Sequence, residues 1–419
     1  MDVTAGVVVA AALFAWGLVS ARLERSDLTA PVVFVALGWA LQWGGLVDRG
    51  DAHDTITPLV EVTLVWLLFS DAARLRLREL RADVGRYVRL LGIGLPLTIV
   101  LGSVLAAWFW PHLGPWLALF VGAALAPTDA ALGRPVVTNH VVPARIRQLL
   151  TVESGLNDGI ATPAVMFAIA GAAAAAGLEA GESPNRALVT LVLGVVIGAA
   201  VGALGGWLLR HARRRGWAAE EFSGIAVLAL ALLAYMAAVA VGGNGFVAAF
   251  CAGVAFGALA GPRGPAELVF LDQMGGLVSL LVWCAFGAVA VPIMVERLDA
   301  RTVLYAVLSL TVVRMLPVAL AAVGAGLDRR TVLFVGWFGP RGLASLVFAL
   351  LALEALGPVA DEVVAIIATT VLISVLAHGL SSGPLALRYG ASASGAGDSD
   401  SRRDAPVELD GPVQDERRT

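Results

Sequence analysis

Two carboxylates, Glu153 and Asp158, lie inside an apolar run from about Ile146 to Ala176, with Ser154 and Asn157 between them. A charge at the centre of a membrane helix costs roughly 2.5–3.5 kcal/mol on insertion scales. At a helix end both could snorkel to water, but Val152 and the run after Gly159 place them inside. Ionisable residues in such a position mark an ion or proton pathway. At about 100° per residue, Ser154 and Asp158 share a face, as do Glu153 and Asn157. Glu153 and Asp158 diverge by about 140°, so one face can hold an ion while the other meets a countercharge.

Four further features belong with this stretch. Ala126-Pro127-Thr128-Asp129 interrupts the apolar run 115–133. Pro127 removes a backbone donor, and freed carbonyls together with Asp129 can line a cavity. A plain proline kink with an aspartate at the helix end is the blander reading. Arg314, in LSLTVVRMLPVALAAV, needs an anion because it cannot shed its proton, and Glu153 is the natural partner. Such a pair is compatible with a structural or a functional role. Gly339-Pro340-Arg341-Gly342 breaks the run 331–355 and again carries one charge. Asp71, after VWLLFS, either approaches the ion site or pairs with Arg74, and the three-residue spacing favours the pair. Glu61, Asp272 and Glu354 are expected near helix ends, and no histidine stands out as a pH sensor.

These residues require a membrane scaffold. The chain is 58% hydrophobic and 15% charged, with a mean hydropathy of +0.83, a balance that excludes an ordinary soluble domain. Thirteen apolar cores are predicted, at 5–21, 29–46, 57–73, 87–110, 115–133, 146–176, 187–209, 222–242, 245–260, 267–295, 302–325, 331–355 and 360–386. The fold class is an all-α polytopic membrane protein. Loops after odd-numbered helices 1 to 11 hold eighteen arginines, among them Arg25, Arg76, Arg78, Arg81 and Arg263; the opposite loops hold four. The positive-inside rule then puts the N-terminus outside and the C-terminus in the cytoplasm.

Every basic residue is Arg, which excludes a lysine mechanism. Residues 391–419, with seven acids against four arginines, account for the net charge of −3 and read as a disordered cytoplasmic tail after a membrane domain at 1–390. No nucleic-acid partner is implied. Cys251 and Cys284 lack metal-ligand spacing and read as free thiols. The chain opens without a basic segment, so its first run reads as a span and not as a cleaved signal. Helices 5 and 12 hold corresponding places in two six-helix halves, the pattern of an inverted-repeat transporter.

With these residues assembled, the chain resembles the monovalent cation:proton antiporters, in particular the Na⁺/H⁺ exchanger branch with its NhaP-like proteins. The resemblance spans about residues 5 to 386. It rests on ESGLNDGIA at 153–161, Thr128-Asp129, an Arg in helix 11 and GxRG at 339–342. It implies a thirteen-helix fold with a core domain around crossing unwound helices 5 and 12, and a dimerisation domain that makes a homodimer. It implies that Asp158 binds Na⁺ or a proton, aided by Asp129, Ser154 and the Thr128 carbonyl. It further implies that Asn157 stands where electrogenic relatives carry a second Asp, that Glu153–Arg314 is the core ion pair, and that Asp71 falls where some members place a further acid. Many relatives have Thr-Asp-Pro in helix 5; here Ala130 follows Asp129 and Pro127 lies on the other side.

The sequence therefore predicts a secondary antiporter exchanging H⁺ for Na⁺, Li⁺ or K⁺ across the lipid of the cytoplasmic membrane. One carboxylate holds a proton or a cation, not both. No cofactor is implied, and no GxxxxGK[ST] phosphate loop is present. A K⁺-preferring antiporter is the nearest alternative. A channel would favour a ring of like charges or filter carbonyls. An intramembrane hydrolase using Ser154 and His378 would lack GxSxG and oxyanion donors.

Overall fold

The computed structural model describes residues 3–24, 29–47, 49–75, 83–178, 184–261 and 265–403. Among them all regular structure is helical, as bilayer-spanning backbone must satisfy its own hydrogen bonds. α1 (Val3–Glu24), α2 (Ala30–Trp43) and α3 (Arg49–Arg74) are followed by α4 (Val84–Phe109), α5 (Gly114–Ala124) and α6 (Ala144–Ala175). Next come α7 (Pro184–Arg214), α8 (Glu220–Ala240), α9 (Gly245–Leu259), α10 (Pro265–Arg297) and α11 (Ala300–Ala321). α12 (Arg329–Trp337), α13 (Leu343–Leu356) and α14 (Asp361–Arg403) complete the chain.

Each of the thirteen predicted cores overlaps helix, but the fifth, expected over 115–133, is helical only to Ala124, and the twelfth is divided between α12 and α13. Eight helical stretches among the described residues are long and apolar enough to cross a membrane. α14 continues past the expected domain end at Gly390 to Arg403; the rest of the expected tail lies outside the described residues. So do Arg25, Arg76, Arg78, Arg81 and Arg263 of the arginine count.

Close helix contacts rest on small residues, because without a hydrophobic driving force in lipid, packing must come from backbone approach. α7 lays Gly198 and Gly202 directly on the backbone of Ala248 and Ala252 in α9. α2 and α10 meet similarly at Gly38 and Gly287. The outer faces stay apolar: Val196 and Leu204 of α7 and Val100 and Val104 of α4 are exposed, as a lipid-facing surface requires. α1 packs on α2 and leaves Val7, Phe14 and Leu18 exposed.

Two interruptions follow α5 and α12, the first buried over residues 125–128 and the second throughout. After α5 the chain is non-helical from Leu125 to Gly133, and between α12 and α13 it is non-helical over residues 338–342. Pro127 and Pro340 sit within them and cannot supply the donors a helix needs. The freed groups bond across: the Asp129 N–H donates to the Pro340 carbonyl at 2.8 Å.

Candidate functional site

The two interruptions exchange charges at the ends of each other's helices. Asp129 Oδ2 accepts from the Leu343 N–H at 3.1 Å, at the start of α13, while Oδ1 accepts from the Ala131 N–H at 2.8 Å. Conversely, Arg341 Nη1 donates to the Ala126 and Pro127 carbonyls, at 2.7 and 3.0 Å, just past the end of α5. A carboxylate at a helix N-terminus and a guanidinium at a C-terminus both suit the helix dipole. Arg341 is wholly buried, so these carbonyls stand in for water. Ser345 adds a bond from its hydroxyl to the Ala124 carbonyl at 2.7 Å.

Such close approach dictates the two glycines of GPRG. A Cβ on Gly342 would run into the Asp129 carboxylate, and one on Gly339 into Arg314 Nε, with Thr128 Cγ2 3.0 Å away. The Asp129 side chain is short and pinned by two backbone donors, so it cannot yield cheaply. Gly342→Ala should therefore destabilise the protein by about 1–3 kcal/mol. A detergent-solubilised variant melting with the wild type would remove the crowding argument.

α6 faces the first interruption with its polar stretch. Asn157 Nδ2 donates to Thr128 Oγ1 at 2.7 Å, and Ser154 Oγ lies 3.0 Å from the same hydroxyl. Thr128, Ser154 and Asn157 are thus brought together, the latter two being three positions apart on α6. The sequence reading paired Ser154 with Asp158 and Asn157 with Glu153 on separate faces; the Thr128 contacts join Ser154 and Asn157, because residues three apart also share a face. The structure engages the Thr128 hydroxyl here, where the family resemblance implied its carbonyl.

Glu153 turns the other way and meets Arg314 of α11, Nη1 to Oε1 at 2.6 Å, with both side chains buried. Thr311 interrupts the regular path of α11 just before Arg314, and Pro317 follows it.

Asp158 is one turn beyond Ser154 and is 6% exposed. Its Oδ1, like Asn157 Oδ1, is buried and has no hydrogen-bond partner among the described residues. Buried polar groups are normally satisfied, so an unpaired carboxylate oxygen implies a ligand or a functional cost. Asp71 and Asp129 both act on Asp158 through their charge. The Asp71 backbone and Cβ lie against Gly155, so α3 brings this acid to the same region of α6.

A cavity of about 10 Å³ is lined by Asp129, Ala130, Ser154, Phe338 and Pro340, room for one water-sized group. Asp158 does not line it. The site residues are therefore contiguous but divided: a hydroxyl–amide cluster, a tied Asp129 beside a small cavity, and an unpaired Asp158 one turn along.

Several placements differ from the sequence reading. His378, weighed in the sequence only as a hydrolase base, has a buried ring, with Nε2 2.9 Å from the Trp337 carbonyl and Nδ1 3.1 Å from Ser374 Oγ. Its ring nitrogens face these groups and not Ser154, which removes the hydrolase dyad. The signal was available in the polar stripe Ser374, His378 and Ser381, spaced by four and three in an apolar helix. Glu61, expected at a helix end, lies within α3. The Asp272 side chain lies outside the described residues.

Comparison with known proteins completes the site's context. Over 370 residues the chain is 26% identical to a K(+)/H(+) antiporter NhaP2 of Shewanella sp. (strain ANA-3), covering 87% of this chain and 63% of the relative. The chain thus spans less than two thirds of that relative's length. A Na(+)/H(+) antiporter of Schizosaccharomyces pombe is 29% identical over 273 residues, covering 59% of this chain and 55% of the relative. In structure, the sodium proton antiporter MjNhaP1 of Methanocaldococcus jannaschii superposes with a TM-score of 0.77 at 20% identity, covering 93% of this chain and 99% of that one. The family described as "Sodium/hydrogen exchanger, transmembrane" matches residues 8–388. That match takes in both interruptions, the polar stretch of α6 and Arg314, and this multi-pass membrane chain belongs to the sodium/hydrogen exchanger family.

Proposed function

We propose that the protein is a secondary antiporter that exchanges protons for Na⁺ or another monovalent cation by alternating access. The observation that carries this reading is Asp158, a buried carboxylate in mid-helix with an unpaired oxygen. An unpaired buried charge is expensive, and either a proton or a cation removes the cost. Because one carboxylate cannot hold both, each occupant displaces the other. Ser154 and Asn157, in the adjoining turn of α6, and Thr128, bonded to them, supply neutral oxygens, and Asp71 adds negative potential. Asp129 and Arg341 hold the crossing together, and Glu153–Arg314 braces α6 against α11. In this reading the two interruptions are corresponding elements of two inverted six-helix repeats, and they move together as part of a core domain.

K⁺ is a second candidate cargo, supported by the named activity of the Shewanella relatives. The arginine asymmetry supports a cytoplasmic-membrane location with the N-terminus outside and the C-terminus inside. A homodimer is in keeping with the exposed apolar face of α1. The relatives are transporters, and no enzymatic step is proposed.

Purified protein in sealed vesicles tests the reading directly. An imposed pH gradient should collapse on adding Na⁺, Li⁺ or K⁺, and the ranking of the three identifies the cargo. Cation flux without proton movement would instead indicate a channel.

The same vesicles give the stoichiometry. Asn157 cannot titrate, Glu153 is held by Arg314, and Asp129 is fixed by two backbone donors. Asp158 alone remains to trade its proton, so exchange should be electroneutral. Each net charge per cycle would add roughly 2.3 kcal/mol per 100 mV to the driving force. The ion gradient at zero flux should therefore not move under a clamped potential, and a reproducible shift would refute one-for-one exchange.

A further inference from the structure

In a continuous helix the Arg341 N–H would donate to the Trp337 carbonyl, four residues back. Here the chain leaves α12 through Phe338 (φ −79°, ψ 62°), with the Gly339 N–H on the Trp337 carbonyl at 2.8 Å. That is an inverse γ-turn, which separates the two groups. Two side chains of α14 stand between them. The Arg341 N–H donates to Ser374 Oγ at 2.7 Å, Ser374 Oγ lies 3.1 Å from His378 Nδ1, and His378 Nε2 lies 2.9 Å from the Trp337 carbonyl. Ser374 and His378 are both buried.

The chemistry of the ends sets the direction of the chain. A carbonyl only accepts, so in the neutral ring Nε2 carries the proton and Nδ1 accepts. Ser374, having accepted from Arg341, has a hydroxyl proton to give to Nδ1. Nδ1 also lies 2.9 Å from the Ser374 carbonyl, which offers the neutral ring no bond. The Trp337 indole donates to Ser381 Oγ at 3.0 Å, so the same face of α14 grips the end of α12 twice.

We propose that Ser374 and His378 are positioning residues: a two-side-chain relay inserted into the missing helical hydrogen bond of the α12–α13 interruption. By satisfying both separated groups, the relay keeps residues 338–342 out of helix. That places the Arg341 side chain on the Ala126 and Pro127 carbonyls and leaves Thr128 facing α6. The backbone effect stands on the geometry alone, whereas the effect on transport rests on the antiport reading above.

The test uses the full-length protein and the variants Ser374→Ala, His378→Phe, His378→Gln and the Ala/Phe double. Phe preserves a ring against Trp337, whose centroid lies 5.1 Å from that of His378, but it offers no hydrogen bonds. Gln can accept with its oxygen and donate with its nitrogen. Hydrogen exchange of the segment around Arg341 is the first readout. Ser374→Ala and His378→Phe should each raise its rate about tenfold, the loss of a buried hydrogen bond. His378→Gln should stay within about threefold. The second readout is the cation concentration for half-maximal exchange, which should rise in the same two variants by about tenfold with smaller change at saturation, and no further in the double, since the relay acts as one unit. Unchanged exchange protection in the variants that fold, or a Gln variant no better than Phe, would overturn the relay. Wild-type protein that moves no ions would overturn the antiport reading instead, leaving hydrogen exchange to decide the relay.

Discussion

Asp158→Asn is expected to give a folded protein whose exchange falls to that of protein-free vesicles. Replacing the carboxylate by an isosteric amide leaves the shape of α6 unchanged and removes a buried charge that has an oxygen without a protein partner. The variant should therefore melt no lower than the wild type, and a higher melting temperature is expected. Transport must fail because an amide neither releases a proton nor neutralises a cation. The two outcomes in one variant, stability kept and flux lost, separate a working group from a structural one. Near-wild-type Na⁺-driven or K⁺-driven proton flux in purified Asp158→Asn would end the assignment. Loss of folding would show instead that the carboxylate braces the helix.

The second large effect concerns Glu153 and Arg314. Both are buried and in contact at 2.6 Å, so removing either leaves its partner as an uncompensated charge. Glu153→Leu and Arg314→Met alone should each cost about 3–5 kcal/mol. The double replacement should recover much of this, because apolar side chains of similar volume often match or exceed a buried ion pair. Arg314 Nε and Nη2 have no hydrogen-bond partner among the described residues, so the pair is incompletely satisfied and its removal as a unit is correspondingly cheap. Melting of the two singles and the double gives the coupling. Simple additivity would contradict the contact, whereas recovery of stability without recovery of transport would assign the pair a functional role.

Much of this architecture was legible in the sequence because bilayer-spanning segments carry an unusually strong signal. Apolar runs bounded by charged or Gly/Pro clusters located the cores, although the fifth ran past the end of α5, and proline marked both places where helix could not continue. The Glu153–Arg314 contact was expected because an intramembrane arginine needs an anion, and because the family resemblance implies this core ion pair. What sequence spacing could not supply was how the two interruptions meet in space. Nothing in Thr128-Asp129 or GPRG says that Asp129 would serve the start of α13 while Arg341 serves the end of α5. That exchange depends on two segments over 200 residues apart meeting at backbone distance. The role of Ser374 and His378 was hidden for a related reason. Small polar residues in an apolar helix can bond their own backbone, so the stripe on α14 acquires meaning only once the groups it bridges are seen.

The pairing of charges has a further consequence for fidelity. Asp129 and Arg341 each answer a helix end, and Glu153 answers Arg314, so the partners of these charges are the same whether or not cargo is aboard. In the proposed reading the occupancy of Asp158 alone changes the charge of the moving part. With a proton or a monovalent cation bound, Asp158 is neutralised and crossing the apolar seal is cheap. Empty, it must drag a bare carboxylate through the same seal, against a penalty of roughly 2.5–3.5 kcal/mol on insertion scales, a hundredfold or so in population. The unladen return stroke, which would let one ion run down its gradient without moving the other, is thus suppressed by electrostatics with no separate latch. A mutation that supplied Asp158 with a fixed countercharge would leave ion binding weakened and, more damagingly, would let the empty carrier slip.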